Sequence, residues 1–178
     1  GKKHLQKEAA VLSRMILKYE KPKHHTFCGE KTEDVILLCN RNNRQITARQ
    51  IQTGEVSMLA GGVRIQGADL QEIAKIRTWQ ELLFPLHGKV EREYTAEAAA
   101  QTVWNTEIME LLQSLHEEKG AFLFRIEYKG SLDERKKSEF VKKTASLLEE
   151  KSERMLINSI SDYEIEIRIV ESKKGGYL

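Results

Sequence analysis

The 178-residue sequence is poor in cysteine and proline and has no long apolar run. Its two cysteines, Cys28 and Cys39, are too few for a disulfide framework, so we expect a reducing, cytoplasmic location. Two prolines, with 40% hydrophobic and 31% charged residues, predict a folded chain with little disorder. No apolar run approaches the roughly 18 residues that a membrane-spanning helix needs, and no signal-peptide core lies near Gly1. These absences argue against a membrane or secreted protein.

Sequence motifs that carry catalytic chemistry are also missing. The chain has no phosphate loop, no GxGxxG after a strand, no HExxH and no GxSxG. It also lacks the Asn/Asp-Pro-Pro-aromatic motif of amino-group methyltransferases. His24, His25, Cys28 and Cys39 could supply four zinc ligands, but their spacing matches no standard zinc finger. We therefore predict no catalytic residue, no bound cofactor and no metal site in this chain.

The charge of the chain is unevenly placed. The net charge of +2 is too small for nucleic-acid binding by bulk charge, although local basic faces remain possible. Residues 1–30 hold seven Lys or Arg against three Glu, a net +4. Apolar residues recur in this segment at spacings of three and four, at Leu5, Ala9, Leu12, Ile16 and Tyr19. The pattern predicts a basic amphipathic helical segment over residues 1–30.

Residues 31–88 read as a small α/β domain. The pattern predicts a buried strand, a short helix, two strands, a helix and a closing strand. The helix after Gly67 begins with a capping aspartate, Asp69. The predicted elements are Val35–Cys39, Ile46–Gln52, Val56–Leu59, Val63–Ile65, the helix after Asp69, and Leu82–Leu86.

Residues 89–178 read as a second α/β domain. After a polar linker over His87–Thr95, the pattern predicts a long helix over Ala96–His116. The strand Phe122–Tyr128 alternates strictly between apolar and charged residues. A capping sequence, Ser131–Glu134, starts another helix. The last clear strand has Tyr163, Ile165, Ile167 and Ile169 inward and Glu164, Glu166 and Arg168 outward.

The helix after Ser131 carries its cations early and its anions late, against the preference of the helix dipole. At about 100° per residue, the early cations lie opposite the predicted buried face. Such a face can bind an anion, and other lysines before and after the helix extend it. A solvated helix face is the alternative. The candidate residues are Lys129, Arg135, Lys136, Lys142, Lys143, Lys173 and Lys174.

Two stretches resemble the THUMP-domain RNA-modification enzymes. In the first, an alternating strand ends in Lys129-Gly130, a capped helix follows, and Leu156-Ile157-Asn158 precedes the strand Tyr163–Ile167. In THUMP modules a leucine-rich L-N-P element precedes a strand of this type, and Ser159 stands where many members have proline. In the second, Gly61-Gly62-Val63-Arg64-Ile65-Gln66-Gly67 and Ile76-Arg77-Thr78 are similar to the segment before the THUMP module in methyltransferase members. Together the two stretches span roughly residues 54–178.

The resemblance implies a fold class of α/β (α+β), with a ferredoxin-like domain over residues 31–88 and a THUMP-like domain over residues 89–178. It implies the RNA-binding, substrate-positioning portion of a tRNA or rRNA base methyltransferase. Structured RNA is then the partner, contacted through its phosphates by the candidate residues above. The resemblance places the catalytic domain, and the S-adenosylmethionine that it binds, beyond Leu178. Because Tyr177-Leu178 resemble the first residues of another strand, we expect the THUMP-like domain to be truncated at its carboxyl end.

Three other functions remain open from the sequence. The chain can be the recognition half of another RNA-modification enzyme, of the 4-thiouridine synthetase type. It can be a stand-alone RNA-binding adaptor whose basic amino-terminal segment docks a protein. It can also be a small-molecule-binding α/β protein unrelated to RNA, which would have no RNA affinity at low salt.

Overall fold

The computed structural model describes residues 12–19, 32–91, 95–104, 108, 110–112 and 121–172. Eight strands and four helices are numbered here in chain order. The strands are β1 (Leu12–Tyr19), β2 (Thr32–Leu38), β3 (Glu55–Leu59), β4 (Gly62–Asp69), β5 (Glu81–Glu91), β6 (Phe122–Lys129), β7 (Leu156–Asn158) and β8 (Ile165–Ser172). The helices are α1 (Arg44–Gln50), α2 (Leu70–Lys75), α3 (Ala96–Val103) and α4 (Glu134–Lys151), and a 3₁₀ turn over Arg41–Asn43 precedes α1. Mixed helices and strands confirm the predicted α+β class.

The chain divides into two compact units. The βαββαβ unit comprises Lys18–Pro85 and Glu110–Lys119. The parallel unit comprises Gly1–Leu17, Leu86–Met109 and Gly120–Leu178. The boundary on the main chain lies inside β5, between Pro85 and Leu86.

The βαββαβ unit has the strand order β3-β4-β2-β5. β2 pairs antiparallel with both β4 and β5, and β3 pairs antiparallel with β4. With α1 between β2 and β3 and α2 between β4 and β5, this is the split β-α-β arrangement of ferredoxin-like folds. β2 forms because Val35, Ile36 and Leu37 are buried on both faces of the sheet.

Trp79 and Asp69 show how α2 is fixed in the βαββαβ unit. The Asp69 side chain accepts a hydrogen bond from the Gln71 amide at 2.9 Å, so Asp69 caps α2 as predicted. Trp79 is buried, and its indole Nε1 donates to the Ile73 carbonyl at 3.1 Å. Trp79 is therefore part of the core of this unit.

In the parallel unit the strand order is β5-β1-β8-β6-β7. β6 pairs in parallel with β7 and β8, and α4 is the crossover helix between β6 and β7. The predicted alternation of β6 is confirmed, because Phe122, Phe124, Ile126 and Tyr128 are all buried. Tyr128 meets Phe140 of α4 edge to face, with ring centroids 5.5 Å apart.

Four predictions of local structure are wrong where the structure describes them. Leu12–Tyr19 is a strand instead of part of a helix, because strand pairing beside β8 overrides a short helical spacing. His87–Glu91 is the second half of β5 and not a linker. The single helix expected over Ala96–His116 is interrupted, because α3 ends at Val103 and half-buried Trp104 is extended, while Ile108 and residues 110–112 are helical again. Glu166, expected to point to solvent, is 1% exposed.

Candidate functional site

The candidate site is built on α4, the longest described helix. α4 begins at Glu134, because the Asp133 side chain accepts a hydrogen bond from the Lys136 amide at 2.9 Å. The cap is therefore Asp133, two residues after the Ser131 that begins the predicted capping sequence. Phe140, Thr144, Ala145 and Leu148 form the buried stripe of the helix. This stripe fixes which flanks of α4 face solvent.

Three of the predicted cations lie at or near the amino-terminal end of α4. Lys129 is exposed at the end of β6, and Arg135 and Lys136 are exposed in the first turn of α4. Arg135 approaches the Glu139 carboxylate at 3.8 Å, one turn along the same helix. An exposed pair of this kind is worth little, so Arg135 stays available to another anion.

Lys142 and Lys143 do not belong to one patch. Neighbouring residues of a helix point about 100° apart, so the two side chains leave α4 on different flanks. Lys142 lines a cavity beside β6. Lys143 turns to α3, where its ammonium lies 2.7 Å from the Glu97 carboxylate. The hydrogen bond from Lys143 lowers the pKa of Glu97.

The other predicted ligands lie partly outside the described residues. Lys173 and Lys174 do so, and so do His24, His25 and Cys28 of the zinc hypothesis. Cys39 is half-buried, and its thiol donates to the Leu37 carbonyl at 3.6 Å and to Thr47 Oγ1 at 3.5 Å. In the part of the chain that the structure describes, no cluster of three His, Cys, Asp or Glu could hold a metal ion.

A cavity of about 570 Å³ lies between β6 and the first turns of α4. The sequence alone did not indicate it. Lys137, Ser138, Val141 and Lys142 line its helix side, and Ile160 lines it after β7. The volume lies in the range of ligand-binding pockets. Val141 and Ile160 give the cavity apolar surface, and its charged lining residues are Arg125, Lys137, Lys142, Glu127 and Glu134.

The opposite face of β6 and β8 carries a charge cluster that the sequence also did not indicate. The Glu166 carboxylate accepts hydrogen bonds from Arg125 Nε at 2.8 Å and from Arg168 Nε at 2.5 Å. The Arg125 guanidinium lies 4.1 Å above the ring of Tyr163. Burial alone would raise the pKa of Glu166, but hydrogen bonds from Arg168 and Arg125 lower it by more. Arg125 also lies 3.7 Å from the Glu127 carboxylate, so the cluster pairs two arginines with two carboxylates. Because Arg125 lies opposite Glu166 in the pairing of the two strands, the cluster supports this register of β6 against β8.

Comparison with known proteins gives a structural likeness but no match to a sequence family. No family model matches the chain, and no curated protein matches it. The fold is similar to the crystal structure of PH1313 from Pyrococcus horikoshii, with 15% sequence identity and a TM-score of 0.40. The likeness covers 88% of this chain and 50% of PH1313, so the chain spans about half the length of that protein. Among the described residues, no helix is long and apolar enough to span a bilayer.

Proposed function

We propose that this chain is the RNA-binding and substrate-positioning portion of a tRNA or rRNA base methyltransferase. The observation that carries the proposal is the strand order of the βαββαβ unit, β3-β4-β2-β5 with antiparallel neighbours. The resemblance to THUMP-containing methyltransferases implied a ferredoxin-like domain at this place in the chain. S-adenosylmethionine belongs, in this proposal, to a catalytic domain outside these 178 residues.

The exposed cations of α4 support RNA as the partner. Lys129, Arg135 and Lys136 are exposed around the amino-terminal end of α4, and Lys142 lies about two turns further along. Neither Lys136 nor Lys142 forms an ion pair within the described part of the chain. Unpaired exposed lysines can neutralise phosphates, which positions an RNA without reading its sequence.

The proposal predicts salt-dependent binding of structured RNA. Fluorescence anisotropy with a labelled tRNA transcript measures the affinity. Repeating the titration at salt concentrations from about 50 to 200 mM gives the slope of log affinity against log salt concentration. We expect Lys136→Glu and Lys142→Glu each to weaken binding and to reduce the salt slope by about 1. The loss should be similar for the tRNA and for an rRNA hairpin, because phosphate contacts carry no sequence information.

Lys151→Glu is the matched control. It makes the same charge change on the same helix, at an exposed position in the last turn. We expect it to leave RNA affinity close to that of the wild type. Equal affinity of all three variants and the wild type would show that Lys136 and Lys142 do not bind RNA. Absence of RNA binding at low salt would favour the small-molecule alternative.

A further inference from the structure

Three connecting segments of the βαββαβ unit meet at one end of its sheet. Leu38, the last residue of β2, pairs with Gly62 of β4 on one side and with Glu81 of β5 on the other. β3 ends beside them, because Leu59 also pairs with Gly62. The segments next to these four residues therefore lie together, and we call them the loop end. They are residues 39–43, 60–61 and 76–80.

Backbone hydrogen bonds fix the loop end to the sheet. The Cys39 amide donates to the Gly61 carbonyl at 3.1 Å, which joins two of the segments. The Gln80 amide donates to the Leu38 carbonyl at 2.7 Å, which holds the third segment at the end of β2. Side chains on a backbone held in this way are preorganised, and this lowers the entropy cost of binding a ligand.

The loop end is basic. Its segments carry Arg41 and Arg77, both exposed, and no acidic residue, while the adjacent Glu81 is half-buried. Neither arginine forms an ion pair with any residue that the structure describes. The opposite end of the same sheet carries the exposed acids Glu55 and Asp69, which lie at the far ends of β3 and β4. The field of the unit therefore attracts a polyanion to the loop end.

Amide side chains at the loop end indicate which polyanion it binds. Exposed Gln80 donates through Nε2 to Oδ1 of exposed Asn40 at 2.9 Å. This pairing leaves Asn40 Nδ2 as a donor and Gln80 Oε1 as an acceptor, both without a partner among the described residues. A ribose 2′-hydroxyl both donates and accepts, so it can bond to such a pair. The carboxylates of an acidic peptide can only accept. The combination therefore favours RNA.

We propose that the loop end of the βαββαβ unit is a second RNA-binding surface, in which Arg41 and Arg77 bind phosphates and the Asn40–Gln80 pair binds a ribose 2′-hydroxyl. The planar guanidinium of arginine donates two parallel hydrogen bonds to a phosphate, which suits this role. The inference rests on the proposed function, because it concerns the same RNA. It adds a surface on a different unit from α4, and a contact that a phosphate-only surface lacks.

Charge reversal at the two arginines tests the surface. In the tRNA titration with the whole chain, Arg41→Glu and Arg77→Glu should each weaken binding about tenfold and reduce the salt slope by about 1. Arg49→Glu is the matched control, because Arg49 is an exposed arginine in the last turn of α1, outside the loop end. It should bind within about twofold of the wild type. Circular dichroism checks that each variant keeps the fold.

The α4 variant Lys136→Glu separates this proposal from the proposed function. If Lys136→Glu weakens RNA binding while Arg41→Glu and Arg77→Glu bind like the Arg49→Glu control, the loop end does not bind RNA and the proposed function stands. If the wild type binds no RNA at low salt, both proposals fail.

An RNA hairpin and its 2′-O-methyl copy test the amide pair, because methylation removes the hydroxyl donor and leaves the charge unchanged. The wild type should bind the methylated copy about fivefold more weakly, as expected for the loss of one hydrogen bond. Gln80→Met should bind both copies alike, and a variant that keeps the full preference would contradict the assigned contact. Oligoglutamate that displaces the hairpin as well as unlabelled RNA of equal total charge would show a site for acidic polymers in general, and would overturn the proposal.

Discussion

Replacement of Glu166 by Gln tests the charge cluster of the parallel unit most sharply. Glu166 is 1% exposed, and each of its carboxylate oxygens accepts from an arginine, Arg125 or Arg168. Glutamine keeps the shape of the side chain but removes its charge. Its amide nitrogen then faces a guanidinium that cannot accept a hydrogen bond. The variant therefore leaves two cations facing a neutral group in a buried place.

The expected loss of stability is about 2 kcal/mol. Hydrogen bonds to charged groups contribute about 1.5–3 kcal/mol each, and breaking a fully buried ion pair costs about 3–5 kcal/mol. The lower part of these ranges applies, because the Arg125 side chain is 35% exposed and water solvates it when its partner is lost. For a chain of this length, about 2 kcal/mol corresponds to a fall in Tm of roughly 4–8 °C.

Urea denaturation followed by circular dichroism measures the loss, and hydrogen exchange at β6 and β8 shows whether it arises in the parallel unit. The pKa of Glu166 in the folded chain is lower than its ordinary value of 4.5. The ionised carboxylate therefore makes its full contribution to the free energy of unfolding at pH values above 4.5. As the pH falls through the lowered pKa, the wild type and Glu166→Gln should become more similar in their free energy of unfolding.

Glu150→Gln is the control for this prediction. Glu150 is an exposed carboxylate on α4, and we expect its replacement to change stability by less than about 0.5 kcal/mol. A Glu166→Gln variant as stable as this control at pH 7 would refute the reasoning. So would a stability difference from the wild type that stays constant down to acid pH.

Three further changes probe the helix cap, the β3–β4 turn and the contact between α3 and α4. Asp133→Ala should destabilise the chain by about 1 kcal/mol in urea denaturation, with most of the loss restored by Ser, because only the capping hydrogen bond is removed. Gly62→Ala should destabilise the chain by about 3 kcal/mol, because an added Cβ would lie 2.0 Å from a carbonyl oxygen of β2. Gly61→Ala is its control: an added Cβ there meets no atom within 4 Å, so the free energy of unfolding should change by less than about 0.5 kcal/mol. Lys143→Gln should raise the pKa of Glu97 toward its ordinary value of 4.5 in an NMR titration, and an unchanged pKa would contradict the pairing.

Elements with one strongly buried face were predictable from the sequence. The alternation of Phe122–Tyr128 predicted β6 because every second side chain is buried, with Tyr128 in contact with Phe140 of α4. Short elements with apolar residues on more than one face were not predictable. Leu12, Ile16 and Tyr19 fit a helical spacing, while Met15, Leu17 and Tyr19 fit a strand, and only long-range strand pairing decides between them.

The charged surfaces were predicted only in part. Arg135 and Lys136 are exposed as expected. Lys142 and Lys143 do not share one surface, because Lys142 lines the cavity beside β6 and Lys143 pairs with Glu97 of α3. The cavity between β6 and α4 lies where β7 has ended after three residues. That length depends on where the chain turns at Ser159, which no periodicity in the sequence indicates. The burial of Glu166 likewise depends on the register of β8 against β6, which brings Arg125 opposite it.

Sequencing the native transcript past the codon for Leu178 tests the methyltransferase proposal most directly. The proposal predicts a reading frame that continues for about 200 residues, the size of a catalytic domain. It should contain a glycine-rich turn between a strand and a helix, and an Asn/Asp-Pro-Pro-aromatic motif. A stop codon directly after Leu178 would contradict the proposal and favour a stand-alone RNA-binding adaptor.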